Sequence, residues 1–221
     1  MPSCVDSIRS AAERVRGEIE IIVVANRCRD RTEELAARLG CVVTRHPGKN
    51  LAAIRNSGAR LARGEILITI DADSRMSANM LCEIEKRLAS GRIIGGGVVI
   101  LLERLSLGIL ITLLIFLPYA LYLRISAGLF YCRREDFWAI GGFDESLCSV
   151  EDIDFARRLR LYGRGHHKRF RTIFNAWITT SCRKFDRLGD WYFLRHPLVF
   201  VRLLQGRHQD LSNQYWYDFE R

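Results

Sequence analysis

Apolar residues recur along this chain in two rhythms. Ile66 to Ile70 is a short, nearly continuous apolar run rich in β-branched side chains, bounded by Gly64 and by a polar cluster. A strand covered on both faces has this pattern. Glu18 to Val24 and Cys41 to Thr44 read as strands of the same kind. Helical spacing separates them. Val5, Ile8, Ala12 and Val15 predict a helix over Val5 to Arg16. Asp30 is placed to cap a second helix whose Leu35 and Leu39 face inward and which Gly40 stops. After the His46-Pro47-Gly48 break, Leu51, Ile54, Gly58 and Leu61 mark a third, with Arg60 and Arg63 outside. Strand, helix, strand, helix, strand is a βαβαβ unit, so the expected fold class is α/β, a mostly parallel sheet with helices on both faces.

Downstream, Met80, Leu81, Ile84 and Leu88 predict another amphipathic helix, and Gly95 to Leu102 a strand whose glycines read as a tight turn entering it. Ala127 to Cys132 reads as a strand, Glu135 to Ile140 as a short helix and Gly141 to Ser146 (GGFDES) as an exposed turn. Ser149 opens a helix carrying Phe155, Leu159 and Tyr162 on one side. Leu105 to Leu123 is apolar throughout, and its ~19 residues are just long enough to cross a bilayer. Pro118, Ser106 and Thr112 weaken a span, and crossing there would separate Asp73 from the later acidic cluster. A packed or interfacial helix is expected instead.

With 221 residues, 48% of them hydrophobic, the chain can bury one sizeable core. The expected organisation is a domain over residues 1–185 and a basic, aromatic extension over 186–221, including a short amphipathic helix from Leu198 to Leu204, that packs on the domain or on a membrane surface. The surplus of 34 Lys and Arg over 25 Asp and Glu, +9, suits an anionic partner such as a nucleotide diphosphate or an anionic membrane face. Nucleic acid is not expected, because basic repeats, zinc-ligand spacing and aromatic RNA motifs are missing. Seven cysteines are scattered singly with no CxxC pair. That pattern points to a reducing cytoplasm, and the basic, aromatic tail to peripheral contact on the inner face of a membrane.

The candidate chemistry begins where the Ile66 to Ile70 strand stops on Asp71 and Asp73. Parallel sheets present their ligand crevice at the carboxyl ends of their strands. Two carboxylates one residue apart can share a divalent cation, and Mg2+ or Mn2+ is satisfied by one or two carboxylates plus phosphate oxygens. A solvated turn that caps the next helix is the alternative reading. Asp152 falls on the apolar side of its helix, whereas Glu151 and Asp154 point elsewhere, Asp154 towards Arg157 and Arg158. Ser149 with an acid three residues on is also a capping-box pattern, which would occupy Asp152 structurally. A basic run follows at His166, His167, Lys168, Arg169 and Arg171, then Arg183, Lys184 and Arg187.

NRCRDRT at Asn26 to Thr32, GKNLAAIRNSGARLARGEILITIDADS at Gly48 to Ser74, IGGFDES, VEDIDFARRL and TSCRKF together resemble family 2 glycosyltransferases of the GT-A fold. The resemblance implies transfer of a sugar from a nucleotide-diphosphate donor to an acceptor hydroxyl, with inversion. It implies Mg2+ or Mn2+ on the diphosphate held by Asp71 and Asp73, and Asp152 as the catalytic base. Donor-side candidates by similarity are Asn26, Asp30, Lys49, Arg55 and Asp71, with Arg183 and Lys184 from the later basic loop. Gly142, Asp144 and Glu151 fall on the acceptor side. Members of the family begin with a strand bearing a Pro-x-x-Asn-Glu type motif, and here Met1 stands at about the helix that follows it. The fold is therefore expected to lack that strand and part of the nucleotide pocket. Ala25 and Asn26 occupy the place where many relatives carry an aspartate. Nucleotidyl transfer on a similar sheet, and a non-catalytic protein binding a membrane surface or partner, are the other readings.

Overall fold

The computed structural model describes residues 1–123 and 128–197. The helix expected at Leu198 to Leu204 lies outside them, as does most of the extension expected from residue 186. In chain order the elements are α1 (Pro2–Ala12), β1 (Ile22–Ala25), α2 (Thr32–Arg38), β2 (Val42–Arg45), α3 (Leu51–Leu61), β3 (Ile66–Ile70), β4 (Ser74–Met76), α4 (Met80–Ala89) and β5 (Ile93–Leu102). They continue with α5 (Leu107–Leu123), β6 (Leu129–Arg133), α6 (Arg134–Ala139), α7 (Glu151–Gly165), β7 (Arg169–Phe170), β8 (Ile173–Thr180), α8 (Arg183–Leu188) and α9 (Tyr192–Arg195).

Six strands form the main sheet in the order β3-β6-β5-β8-β4, with β7 also beside β5. Their pairings make β3, β5, β7 and β8 run one way and β6 and β4 the other. Residue alternation then covers both faces. Leu129 and Tyr131 of β6 join Met80, Ile84, Leu88 and Ile178 on one side. Phe130 and Cys132, one residue out of step, join Leu67, Phe137, Phe143 and Phe155 on the other. This two-sided cover is why the Ile66 to Ile70 run reads as continuously apolar.

β1 and β2 pair in parallel, Ile22 opposite Val42, as a separate two-stranded sheet. The βαβ crossover through α2 is therefore present, but among the described residues β3 pairs with β6 rather than with β1 or β2. Side-chain contacts join the two sheets. Glu20 Oε1 accepts the backbone N–H groups of Arg63 and Gly64 at 2.6 and 2.7 Å. α1 straddles both, Val5 packing with Ala36 and Cys41 of the small sheet and Ala11 with the core under α4.

At α2 and α3 small residues take part of the buried face: Ile54 is buried and Leu39 packs beside Val5, Ala36 and Cys41 as expected, but two of the expected leucines are outside. Leu35 and Leu61 are exposed, whereas Ala36, Ala52 and Ala59 are buried. Close approach explains the exchange, since a Cβ on Gly58 of α3 would come within 2.9 Å of the Val24 side chain of β1. A larger residue on that face would push helix from strand.

The glycines of β5 do not form the expected turn. They lie within the strand, where a Cβ on Gly96 would fall 1.7 Å from the Arg171 carbonyl oxygen and one on Gly95 2.3 Å from that of Tyr131. Both obstacles are backbone and cannot rotate away. Gly96→Ala is therefore expected to destabilise the fold on the order of 4 kcal/mol or more, read as loss of the cooperative thermal transition. Gly17→Ala, where a Cβ meets nothing within 4 Å, should leave that transition in place; equal melting of the two variants would refute the packing argument.

Candidate active site

The carboxylates of the Asp71 to Asp73 segment stand in a turn fixed at both ends. The Ser74 N–H donates to the Asp71 carbonyl at 2.9 Å. The buried Ser74 hydroxyl bonds that of Thr180 at 3.0 Å, tying the turn to the end of β8. Asp71 and Asp73 keep 45% and 38% of their side chains exposed. Asp73 Oδ2 accepts the Ser181 hydroxyl at 3.1 Å and lies 3.5 Å from Arg183. Short polar side chains at the end of a buried strand have no apolar layer to enter, so they face the crevice.

The facing wall is the start of α7, and Asn56 of α3 anchors the turn that leads into it. Asn56 is 2% exposed, donates to the Phe143 carbonyl and Glu145 Oε1 at 2.8 Å each, and accepts the Phe143 N–H at 2.9 Å. Gly142 has φ +67°, and a Cβ there would meet Asn56 Oδ1 at 2.7 Å. Asn50 caps α3 and also donates to the carbonyls of Glu145 and Leu147. From this anchored turn the chain enters α7 through Val150, whose φ of 58° is left-handed. A β-branched residue in that region is strained, and such strain persists only where the surroundings enforce it.

The helix thus starts at Glu151, with Val150 as its N-cap and no side-chain capping bond from that residue. Asp152 Oδ1 accepts the Ile153 N–H at 2.8 Å, within the first turn. Rotation of α7 is set by Phe155, fully buried against Phe130, Phe137 and Phe143 with ring centroids 5.5, 5.5 and 4.4 Å away. Asp154 pairs with Arg158 at 2.6 Å, as its spacing suggested, and Arg158 also donates to the carbonyls of Ile140 and Gly142. Glu151 does not point away as expected but is buried inside the site.

Arg55 joins the two walls. Its guanidinium donates to Asp71 Oδ1 at 3.0 Å and to Glu151 Oε1 at 2.9 Å, and lies 5.3 Å from the centre of the Phe143 ring. Burial works against this cation, but Asp71, Glu151 and Asp152 more than offset that and raise its pKa. Asp71, Glu151, Asp152, Arg55 and Lys184 together line one cleft of about 250 Å³, with Leu51, Ile100, Gly128 and Ile178 as its apolar part.

Burial raises the pKa of both Glu151 and Asp152; Arg55 opposes this for each, while each is raised further by a neighbouring carboxylate. Lys184 is exposed as a whole residue, yet burial of its ammonium at the cleft pulls its pKa down to about 8, against the pull of Asp71 and Asp73. Three carboxylates facing a few cations form a site whose protonation depends on what binds.

The other candidates from the sequence, Asn26, Asp30, Lys49, Asp73, Gly142, Asp144 and Arg183, are not among the residues that line this cleft. The Asn26 amide donates to the carbonyls of His46 and Gly48 at 2.6 and 2.8 Å, fixing the loop that carries Lys49 towards α3. Asp30 accepts the Thr32 N–H and hydroxyl at the start of α2, and Asp144 does the same for Ser146. Sequence reasoning did not single out Asn56 or the Ser74–Thr180 pair. Asn56 had a signal, since Ala52, Asn56 and Ala59 form a stripe of small residues at helical spacing beside the leucines; a bond between residues 106 apart had none.

Among the described residues no group of three or more His, Cys, Asp or Glu is placed to hold a metal. Asp71 and Asp73 still fit a hard cation that completes its shell with water and phosphate oxygens. Arg55 engages Oδ1 of Asp71 and Arg183 engages Oδ2 of Asp73, so a cation held by these two residues would share them with the arginines.

Comparison with known proteins decides the family, because the model for glycosyl transferase family 2 matches residues 1–111. The chain belongs to that family. No curated protein matches this glycosyltransferase in sequence. Among solved structures it is similar to the mannosyltransferase PcManGT of Pyrobaculum calidifontis in complex with GDP-Man and Mn2+, at 16% identity and a TM-score of 0.59, over 97% of this chain and 70% of that one. It is also similar to S. aureus TarS 1-349, at 14% identity and a TM-score of 0.64, over 97% of this chain and 64% of that one. A third is the glucosyl-3-phosphoglycerate synthase of Mycobacterium tuberculosis in complex with Mn2+, UDP and phosphoglyceric acid, at 16% identity and a TM-score of 0.56, over 90% of this chain and 72% of that one. These likenesses show the GT-A fold. The glycosyltransferase spans about two thirds of the length of these structures.

Proposed function

We propose that the chain transfers a sugar from a nucleotide-diphosphate donor to an acceptor hydroxyl with inversion, using Asp152 as base and Asp71 and Asp73 as ligands for Mg2+ or Mn2+. One observation carries the reading: Asp71, at the end of β3, and Asp152, in the first turn of α7, line the same cleft. Inversion needs the acceptor to attack from the face opposite the leaving diphosphate. A single cleft must then hold an anion-binding group and a base on different elements. Likeness to proteins solved with GDP-Man and Mn2+, or with UDP-GlcNAc, supports a nucleotide sugar and a divalent ion.

Asp152 takes the proton of the acceptor hydroxyl, and a carboxylate pKa raised by burial makes it a stronger base than a solvated one. Lys184 and Arg183, next to the Asp71 to Asp73 turn, offset the negative charge that builds on the departing diphosphate. A divalent ion on Asp71 and Asp73 supplies Lewis acidity there when bound. Arg55, already paired on both sides, acts by holding Asp71 and Glu151 in place. Lys49 and Asn26 belong to the donor side, and Gly142 and Asp144 shape the turn on the acceptor side.

The test is nucleoside diphosphate release from a panel of UDP and GDP sugars, with and without chelator and across pH. Release is expected to need Mn2+ or Mg2+, to rise as Asp152 ionises above the ordinary carboxylate pKa of 3.8, and to fall above about 8 as Lys184 loses its proton. Lys184→Arg should move that alkaline limb upward. Release unaffected by chelation would remove the metal from the proposal, and an unchanged alkaline limb would remove Lys184.

A further inference from the structure

Helix α5 presents an apolar surface of unusual breadth. Gly108, Ile109 and Thr112 are buried. A Cβ on Gly108 would lie 2.9 Å from the Asp190 carbonyl, so this side packs on the segment leading into α9. The rest of the described surface faces solvent: Leu107, Leu110, Leu113, Leu114, Ile115 and Leu117 are 65, 44, 44, 57, 56 and 47% exposed. An ordinary surface helix turns its polar face outward. Here no charged residue occurs between Arg104 and Leu123.

The neighbouring segment supplies net positive charge. Residues 183–197 carry Arg183, Lys184, Arg187 and Arg195 against Asp186 and Asp190, and both of these acids are bound by Arg104 at the root of α5. Beside them stand Trp191, 42% exposed, and the half-buried Tyr192 and Phe193. A leucine-rich face bordered by aromatic residues and a net positive segment complements the boundary between acyl chains and anionic headgroups. With 17 residues at about 1.5 Å each, α5 is about 25 Å long. No described helix is long and apolar enough to cross a membrane.

We infer that α5 docks the protein on an anionic bilayer surface, its exposed leucines entering the headgroup boundary and the residue 183–197 segment meeting the headgroups. Topology gives the contact a function. α5 is an excursion between the adjacent strands β5 and β6. Ile100 of β5 and Gly128, just before β6, both line the cleft, where a Cβ on Gly128 would be 3.1 Å from the Ile100 side chain. Docking therefore brings the cleft to headgroup level. This consequence rests on the glycosyl-transfer reading, whereas the docking itself does not.

Flotation of the whole chain with vesicles of phosphatidylcholine alone, or with phosphatidylglycerol added, tests the inference. The protein is expected to float with the anionic vesicles, at least tenfold more than with the neutral ones at low salt, and less as salt screens the contact. Leu110→Asp with Leu114→Asp should cut the bound fraction at least tenfold, and Arg187→Glu with Arg195→Glu should abolish the preference for anionic lipid. These side chains are exposed, so an unchanged thermal midpoint shows that each variant folds. Failure of the wild type to float, equal flotation of the leucine variant, or a dimer in solution that the leucine variant dissolves would each overturn the inference, the last in favour of a second copy of the chain. Calorimetry with nucleoside diphosphate and Mn2+ separates the two ideas: flotation without nucleotide binding refutes the transfer reading and leaves the docking standing.

Discussion

Replacing Asp152 by Asn is expected to lower the rate of sugar transfer by about 10²–10⁴-fold, the usual contribution of a positioned general base, with affinity for nucleoside diphosphate unchanged within a few-fold. The substitution keeps the shape, and the amide oxygen can still accept the Ile153 N–H that Asp152 holds at 2.8 Å. Loss of rate would then report loss of the ionised carboxylate rather than a displaced helix. The pH profile gives a second readout. Burial raises the Asp152 pKa, so wild-type kcat/KM should rise with pH along a limb lying above that of a solvated aspartate. The residual activity of Asp152→Asn should lack this limb. Transfer by Asp152→Asn at the wild-type rate would assign the proton to another group, with Glu151 the next carboxylate in the cleft.

Arg55→Met should lower the stability of the fold by breaking a buried ion pair from one side. Methionine keeps apolar length over Phe143 but leaves Glu151, whose side chain is 9% exposed, without the cation 2.9 Å from it. Breaking a buried pair from one side costs about 3–5 kcal/mol. The lower end, about 3 kcal/mol, applies because the other partner, Asp71, is 45% exposed and partly screened by solvent. For a chain of this size that is a fall in thermal midpoint of roughly 6–12 °C. The sign of the pH dependence follows from the linkage. Burial already raises the Glu151 pKa, and Arg55 is the main influence holding it down. Without Arg55 the folded state keeps the Glu151 proton to still higher pH than the unfolded chain does. The deficit should be smallest at low pH, where Glu151 is protonated in both states, and should grow as pH rises through the folded pKa. A deficit independent of pH would mean that Arg55 contributes packing and not charge. Asp71 would also lose its anchor, so nucleoside diphosphate binding should weaken together with stability.

Val150, Phe155 and Asn56 show how this site is aimed. None carries the chemistry, yet the left-handed Val150, the buried ring of Phe155 and the amide network of Asn56 together decide that Glu151 and Asp152 face Asp71. Asp144, which stands inside a conspicuous motif, forms the turn that Asn56 anchors and bonds only to Ser146 among the described contacts. A motif in sequence marks where the chain is constrained; the contacts say which of its residues are constrained for shape.

The order of strands and helices up to α7 (apart from β4), the end of β3 on two carboxylates and the two-sided burial of the sheet were legible in the amino-acid order, because short-range periodicity reports which faces of an element leave water. β4, β7, β8, α8 and α9 were not read from it. Ile66 to Ile70 and the four core residues of α4 appear where the pattern put them. Packing distance was not legible. Gly58 lets α3 lie so close to β1 that a Cβ there would meet Val24, and Gly95 and Gly96 let β5 meet the backbones of Tyr131 and Arg171. The burial of Glu151 likewise depended on Arg55, 96 residues away in the chain. Local patterns fix what each segment can be, but a carboxylate and a guanidinium share a cleft only once the sheet has brought α3 and α7 together. Partners so distant in sequence leave no periodic trace.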